Sequence, residues 1–271
     1  MEKKSGKRIV YRVISIISLI IALAAISAIV VIFYLYQKSS KEYADLALAA
    51  RTAETQQAEA PDVPDIHGGE EPLVAIPINF DYVKSLNEDI TAWIELEGTG
   101  IDYPVLYDTT VNNYYLNHNY SGTYTPYGSI FVLGCNAGDF TDFNTIVYGH
   151  NMIDGSMFAH VRRFRKRDYF DEHDKIVIYT PERKLTYKIF AAYRTDNLNI
   201  TLNNDFSTPE LRREYLDRVF SHDSGFYRDG VTVNEDDRII TLSTCTSSPA
   251  NRFLVQGVLV SDEAGAFSTE Q

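Results

Sequence analysis

The sequence predicts a mainly β domain, a closed or nearly closed barrel of seven to eight short strands with few helices. Three observations lead there. Runs rich in Val, Ile, Tyr, Thr and Phe recur through the C-terminal two thirds: Ile101–Tyr107, Gly128–Leu133, Asn144–Tyr148, Lys175–Thr180, Lys184–Arg194, Arg238–Thr244 and Phe253–Ser261. Glycines punctuate the chain before the first of them, at Gly98 and Gly100. Inside this region only Met157–Arg167 and Thr208–Phe220 read as helix. The second has Ser207 or Thr208 as its N-cap, Pro209 in its first turn and an acid next to it.

The domain is expected to begin near Ile76 or Asn79 and to span residues 76–264, with 265–271 as a tail. Phe80, Val83, Leu86, Ile90, Trp93 and Ile94 have helical spacing, so an N-terminal helix is expected over at least the first part of Phe80–Leu96.

The N-terminus reads as a membrane anchor. No charged residue occurs from Val13 to Tyr34. As a helix rising about 1.5 Å per residue this run spans roughly 33 Å, enough for a hydrocarbon core. Lys3, Lys4, Lys7, Arg8 and Arg12 precede it, and Tyr34 and Tyr36 sit where an interfacial aromatic belt would lie. The positive-inside rule then makes residues 1–12 a cytoplasmic tail, 13–36 a single transmembrane span and the remainder extracellular. The run is long for a cleaved signal peptide, and no small-x-small site follows it. Residues 37–75 form a linker, helix-favouring from Lys41 to Ala60 and flexible over the Pro- and Gly-containing stretch Pro61–Pro72.

The net charge is −12. Residues 1–12 hold five basic residues and one acid, so the rest holds 20 basic and 36 acidic, a net −16. Such a surface argues against nucleic acid as a partner. One basic cluster stands out, Arg162, Arg163, Arg165, Lys166 and Arg167, and reads as a solvated helix face. The two cysteines, Cys135 and Cys245, lack a C-x-x-C spacing or nearby histidine pairs, which argues against zinc. A disulfide between them is possible in principle, but the domain is long enough to bury its own core without one. Cys135 reads as a small buried residue at a strand end.

Three residues at strand edges suggest acyl transfer. Ile239–Thr244 delivers Cys245 to the end of a β-branched run, Tyr148-Gly149-His150 ends another, and Arg252 follows seven residues after the cysteine. A free thiol with a pKa near ~8.5 needs a partner to become nucleophilic. His150 can act as general base and later protonate a leaving amine. If the loop after Cys245 reverses the chain, Arg252 lies on the adjacent antiparallel strand and can donate to an oxyanion.

Thr241-Leu242-Ser243-Thr244-Cys245 resembles the T-L-x-T-C motif of sortases, the cysteine transpeptidases of Gram-positive cell surfaces. Tyr148-Gly149-His150-Asn151-Met152 resembles the histidine loop, and the order His, Cys, Arg agrees. The likeness covers roughly residues 79–261 and is greatest to class B. Asp89–Ile94 and Thr99–Val105 resemble that class's N-terminal helix and first strand, Thr208–Phe220 lies where it carries a helix between strands six and seven, and Ser243 is typical of it. The loop from Cys245 to Arg252 is short, Thr246 stands where an acid is common, and Phe131–Cys135 departs from the pattern.

The resemblance implies that Cys245 attacks the Thr carbonyl of a C-terminal sorting signal on a surface protein. His150 protonates the departing peptide, and a thioester remains until an amine of a peptidoglycan cross-bridge or a pilin lysine releases it. No metal or organic cofactor enters this scheme. Tyr148, Ser243, Thr244, Asn112 and Leu116 are carried over as substrate-binding positions. Two other readings stay open: a class-B-like pilin polymerase, and, of a different kind, a non-catalytic cell-wall scaffold on the same barrel. A papain-like protease is disfavoured, because there the cysteine precedes the histidine.

Overall fold

The computed structural model describes residues 3–52, 73–110, 113–196, 200, 204–245 and 250–266. The chain separates into two units, Met1–Asp45 and Leu46–Gln271. Helix α1 (Lys3–Thr52) begins in the first. Its apolar stretch is long enough to cross a membrane and none of it is buried. Ala, Leu and Ile favour the helix there, and no proline interrupts it.

The second unit contains β1 (Val74–Ala75), α2 (Phe80–Leu86), β2 (Ile90–Leu96), β3 (Ile101–Asp108), the 3-10 turn η1 (Tyr114–Leu116), β4 (Ile130–Leu133) and β5 (Asn144–Gly149). The 3-10 turn η2 (Val161–Arg165), α3 (Arg167–Glu172), β6 (Lys175–Tyr179) and β7 (Arg183–Asp196) follow. Helix α4 (Pro209–Phe220), β8 (Phe226–Tyr227), β9 (Ile239–Cys245) and β10 (Asn251–Ala266) complete it. Around the barrel the order is β10-β9-β5-β4-β3-β2-β6-β7, and pairing of β7 with β10 closes it. This is the expected barrel at eight strands, with the two-residue β1 and β8 attached outside the ring. Two register shifts in β10, after Gln256 and after Leu259, accompany its long pairing with β7; bulges of this kind bend a strand into a barrel wall.

Three expectations change. Asp89–Ile94 belongs mostly to strand β2 and not to the N-terminal helix, which ends at Leu86. Asn87 is the C-cap in extended conformation, and its Oδ1 accepts the Asp89 N–H at 2.9 Å. Helical spacing misled here because β2 is buried at five of its seven positions, and a short apolar run fits both periods. The expected helix Met157–Arg167 is instead a turn, η2 and then α3. Met157 has φ +53°, held by a bond from its N–H to the Tyr103 hydroxyl at 3.0 Å; a left-handed residue cannot sit inside a right-handed helix. Burial pushes the Tyr103 phenol up to about 12, so it stays a neutral partner.

The third difference concerns residues 37–75. Leu46 and Ala50 are buried with Ile76, Phe80 and Trp93. Arg51 grips Asp102 with two bonds at 3.0 and 2.8 Å, and its guanidinium lies 5.6 Å from the Trp93 ring centre. Trp93 Nε1 donates to the same carboxylate at 2.6 Å. At the other end β1 pairs with β10. Leu46–Arg51 and Val74–Ala75, both inside the expected linker, thus pack in the second unit; residues 53–72, including Pro61–Pro72, lie outside the described residues.

Helix α4 falls between the sixth and seventh barrel strands, as expected. The Thr208 side chain accepts the Leu211 N–H, and Pro209 opens the first turn. Tyr215, Leu216 and Val219 pack against Ile146, Tyr193 and Leu254 of the barrel. Between these layers runs a buried polar network. The Tyr215 hydroxyl oxygen accepts from Asn144 Nδ2 at 3.1 Å and from Gln256 Nε2 at 2.8 Å. Gln256 Nε2 also donates to Thr241 Oγ1, which donates to Asn144 Oδ1, both at 2.8 Å. Burial raises the pKa of Tyr215, which keeps the network neutral.

Tyr215→Phe deletes the acceptor of the Asn144 amide in a site closed to water. The expected loss is about 1–3 kcal/mol, read as a lower denaturant midpoint at unchanged slope. A midpoint equal to the parent's would remove the network from the account of stability.

Candidate active site

Strands β5 and β9 run parallel, in register from Asn144↔Ile239 to Gly149↔Thr244. His150 and Cys245 each follow directly on that last pair, so both come to the same rim of the barrel. Strand β10 returns antiparallel, and Arg252 stands opposite Cys245. On its other side Arg252 pairs with Thr195 of β7. The three groups singled out in the sequence therefore sit at the ends of three neighbouring strands. The chain reversal expected after Cys245 holds at the level of backbone register. The side chain of Cys245, residues 246–249 and Asn112 lie outside the described residues.

The imidazole of His150 is held by the turn η1, which packs against β3 and β4. Its Nε2 lies 2.6 Å from the Leu116 carbonyl oxygen. A carbonyl only accepts, so Nε2 carries the proton in this bond. The loop behind it is fixed by the Phe158 N–H bond to the His150 carbonyl at 2.8 Å and by the Asn151↔Met157 bridge. Gly149 makes this possible, because a Cβ there would run into the rings and methyls of Phe158 and Ile130.

Leu116 ends η1, and η1 is tightly anchored. The buried Asp108 accepts the Tyr114 N–H at 2.8 Å with one carboxylate oxygen. With the other it accepts the Thr110 N–H and hydroxyl at 3.1 and 2.7 Å. The Tyr115 hydroxyl donates to Asp89 at 2.5 Å, and burial followed by that bond raises its pKa. Ser129 N–H donates to the Tyr115 carbonyl at 2.9 Å. Just before it Gly128 has φ +56°, and a Cβ there would collide with the Leu116 and Tyr115 carbonyl oxygens.

The remaining sequence-predicted positions divide by environment. Ser243 and Thr244 are buried. The Thr244 hydroxyl donates to the Gly149 carbonyl at 2.8 Å and ties the ends of β9 and β5 together. Tyr148 pairs in register with Ser243 and stacks on Phe131 at 5.5 Å, at the border of the two core clusters. The Leu116 side chain is exposed beside the histidine. Cys135 is a free thiol, partly buried against the core as expected of a structural cysteine.

A family model described as the sortase domain matches residues 94–260. The chain belongs to the sortase family. Sortase B of Listeria monocytogenes is 37% identical over 181 residues, 66% of this chain and 72% of that protein. Sortase B of Staphylococcus aureus is 32% identical over 166 residues, 61% of this chain and 67% of that one. Among solved structures, sortase B of Clostridium perfringens superposes with a TM-score of 0.62 at 33% identity, covering 68% of this chain and 100% of that one. A Staphylococcus aureus sortase B–substrate complex superposes at 0.69 with 27% identity, covering 83% and 97%. These relatives and neighbours are class B sortases.

Within this sortase, sequence reasoning did not find Asp108, Gly128 or the carbonyl role of Leu116. Asp108-Thr109-Thr110 at a strand end is an Asx-turn signature and was a legible cue. A backbone carbonyl acting on a histidine leaves no trace in residue types. Gly128→Ala is expected to cost at least about 1 kcal/mol for left-handed backbone and to push the Leu116 carbonyl off His150. The imidazole 15N resonances of His150 should shift away from the Nε2–H form. Unchanged resonances would mean that Gly128 does not position the ring.

Proposed function

We propose that this chain is a membrane-anchored class B cysteine transpeptidase that cleaves a C-terminal sorting signal after Thr and transfers the acyl group to an amine, attaching surface proteins to peptidoglycan. The observation that carries the reading is the register at the rim. It gathers Cys245, His150 and Arg252 on three adjacent strand ends.

In this mechanism the Cys245 thiolate attacks the Thr carbonyl carbon. The carbonyl π electrons move to oxygen, and the Arg252 guanidinium donates hydrogen bonds to that oxyanion. Collapse breaks the C–N bond, and the leaving amine takes a proton from the imidazolium of His150. With Nε2–H occupied by the Leu116 carbonyl, Nδ1 is the nitrogen that delivers it. A thioester remains on Cys245. An incoming wall amine then attacks, its proton passes back to His150, and the thiolate leaves. The exposed Leu116 side chain, with Tyr148, Ser243 and Asn112, would border the bound signal, whereas Thr244 would act through the strand end it ties to Gly149.

The apolar stretch of α1, preceded by Lys3, Lys4, Lys7, Arg8 and Arg12, supports a single span with the N-terminus in the cytoplasm and the catalytic domain outside. That orientation puts the thiol on the side where wall amines and secreted substrates meet.

Two substitutions in the full chain test the assignment with sorting-signal peptides. Cys245→Ala is expected to abolish both cleavage and the thioester adduct seen by intact mass, with an unchanged melting temperature. Arg252→Lys is expected to lower kcat by at least ~10²-fold, the usual loss for an oxyanion donor. Turnover retained by the alanine variant would sink the mechanism, and a near-parental rate for the lysine variant would reduce Arg252 to a structural role.

A further inference from the structure

Arg163, Arg165, Lys166 and Arg167 are exposed, as expected, but the basic run Arg162–Arg167 does not lie on one face. Arg167 pairs with Asp171 at 2.8 Å. Arg163 and Lys166 border a cleft that also contains Asp168 and Glu172. Arg162 and Arg165 instead turn toward a separate cavity of about 300 Å³, where they meet Arg194 of β7, with Ser224, Phe226 and Phe253 around them. Three residues apart on a 3-10 turn, Arg162 and Arg165 lie on the same side of η2. The cavity thus receives guanidinium groups from two separate elements.

Among the described residues no acid lines this cavity. Among the described residues no salt bridge holds Arg162, Arg165 or Arg194, although six other basic residues of the second unit's surface are so paired at sites such as Arg183–Asp262 and Arg213–Glu235. The segments 197–199, 201–203 and 246–249 contain no Asp or Glu. Three neighbouring like charges without a counterion repel one another. A protein that carries net −16 beyond its first twelve residues has no shortage of carboxylates to neutralise them. Their grouping around one hollow, with two phenylalanine rings at its wall, is the arrangement of a site that takes its counterion from outside.

The cavity is distinct from the catalytic rim. Arg194 pairs with Phe253, one step along the ladder from Thr195 and Arg252. Successive residues of a strand point to opposite faces. Arg194 and Phe253 therefore stand on the face of the β7–β10 pair opposite to Arg252. Ala192 and its partner Phe226 share the cavity face.

We propose that this cavity is an oxyanion site for a phosphate ester. A carboxylate presents two oxygens and is satisfied by one guanidinium fork. Three forks from two directions match the larger oxygen set and higher charge of a phosphate. The phenylalanines lower the local dielectric and accommodate the apolar part of the alcohol. The acidic remainder of the domain repels long polyanions, so the ligand is one phosphate group at a time on a short carrier. A soluble polyol phosphate and a phosphoglyceride headgroup share this chemistry.

Calorimetric titration of the full chain in maltoside micelles with glycerol 3-phosphate tests the site without reference to peptide cleavage. One saturable site is expected. Arg162→Gln and Arg194→Gln should each weaken it at least tenfold, Arg213→Gln on α4 should leave it unchanged, and acetate should not compete. Absence of saturable binding would overturn the proposal. So would equal weakening by Arg213→Gln, which would reduce it to general charge attraction, or full competition by acetate. In phosphatidylglycerol nanodiscs, loss of glycerol phosphate binding would assign the site to the headgroup, and unchanged binding to the soluble ester.

Discussion

Because β5 and β9 run parallel and in register, both strands end at one rim, and residues separated by almost a hundred positions become neighbours. Antiparallel pairing would have put His150 and Cys245 at opposite ends of the barrel. A parallel pair cannot be joined by a tight turn and needs a long crossover. Here the connection contains β6, β7 and α4, so two further barrel strands and the helix are built between the histidine and the strand that ends in the cysteine. Arg252 needs no such detour, since a short reversal brings β10 back beside β9. The arrangement proposed as catalytic thus follows from the β5–β9 and β9–β10 pairings, and α4 with its Tyr215–Gln256 network braces the strands that carry it.

The rim is pre-set by backbone as much as by side chains. Asp108 fixes the start of η1, Tyr115 and Ser129 fix its middle, and the Leu116 carbonyl at its end holds His150 Nε2. Gly128 and Gly149 are the two places where absence of a side chain permits this approach. A histidine held through one nitrogen presents the other in a defined direction, which is what proton transfer to a departing amine requires. On the opposite face of β7–β10, Arg162, Arg165 and Arg194, which no ion pair among the described residues holds, line a second cavity with none of this machinery.

Local chemistry in the sequence was enough for much of this. β-branched runs marked seven of the eight barrel strands, Pro209 after Thr208 marked the start of α4, and the T-L-S-T-C run with Tyr148-Gly149-His150 marked the rim. The errors share a cause. Ile90–Leu96 is apolar and buried at five of its seven positions, so its apolar residues fit a helical as well as a strand period. Met157 is left-handed because Tyr103, 54 residues earlier, holds its amide. Leu46–Arg51 looked like linker because its partners, Asp102 and Trp93, are distant in sequence.

The sequence by itself determined the class of fold, the apolar N-terminal segment and the residue types needed for thiol acyl transfer, because each depends on composition or short-range pattern. Only the tertiary structure decided that β5 and β9 are parallel neighbours, that a carbonyl from η1 orients His150, and that three arginines of one charged run and a distant strand face a common hollow. These are contacts between segments far apart in the chain. They depend on which strands pair and in what register, which no short stretch of sequence encodes.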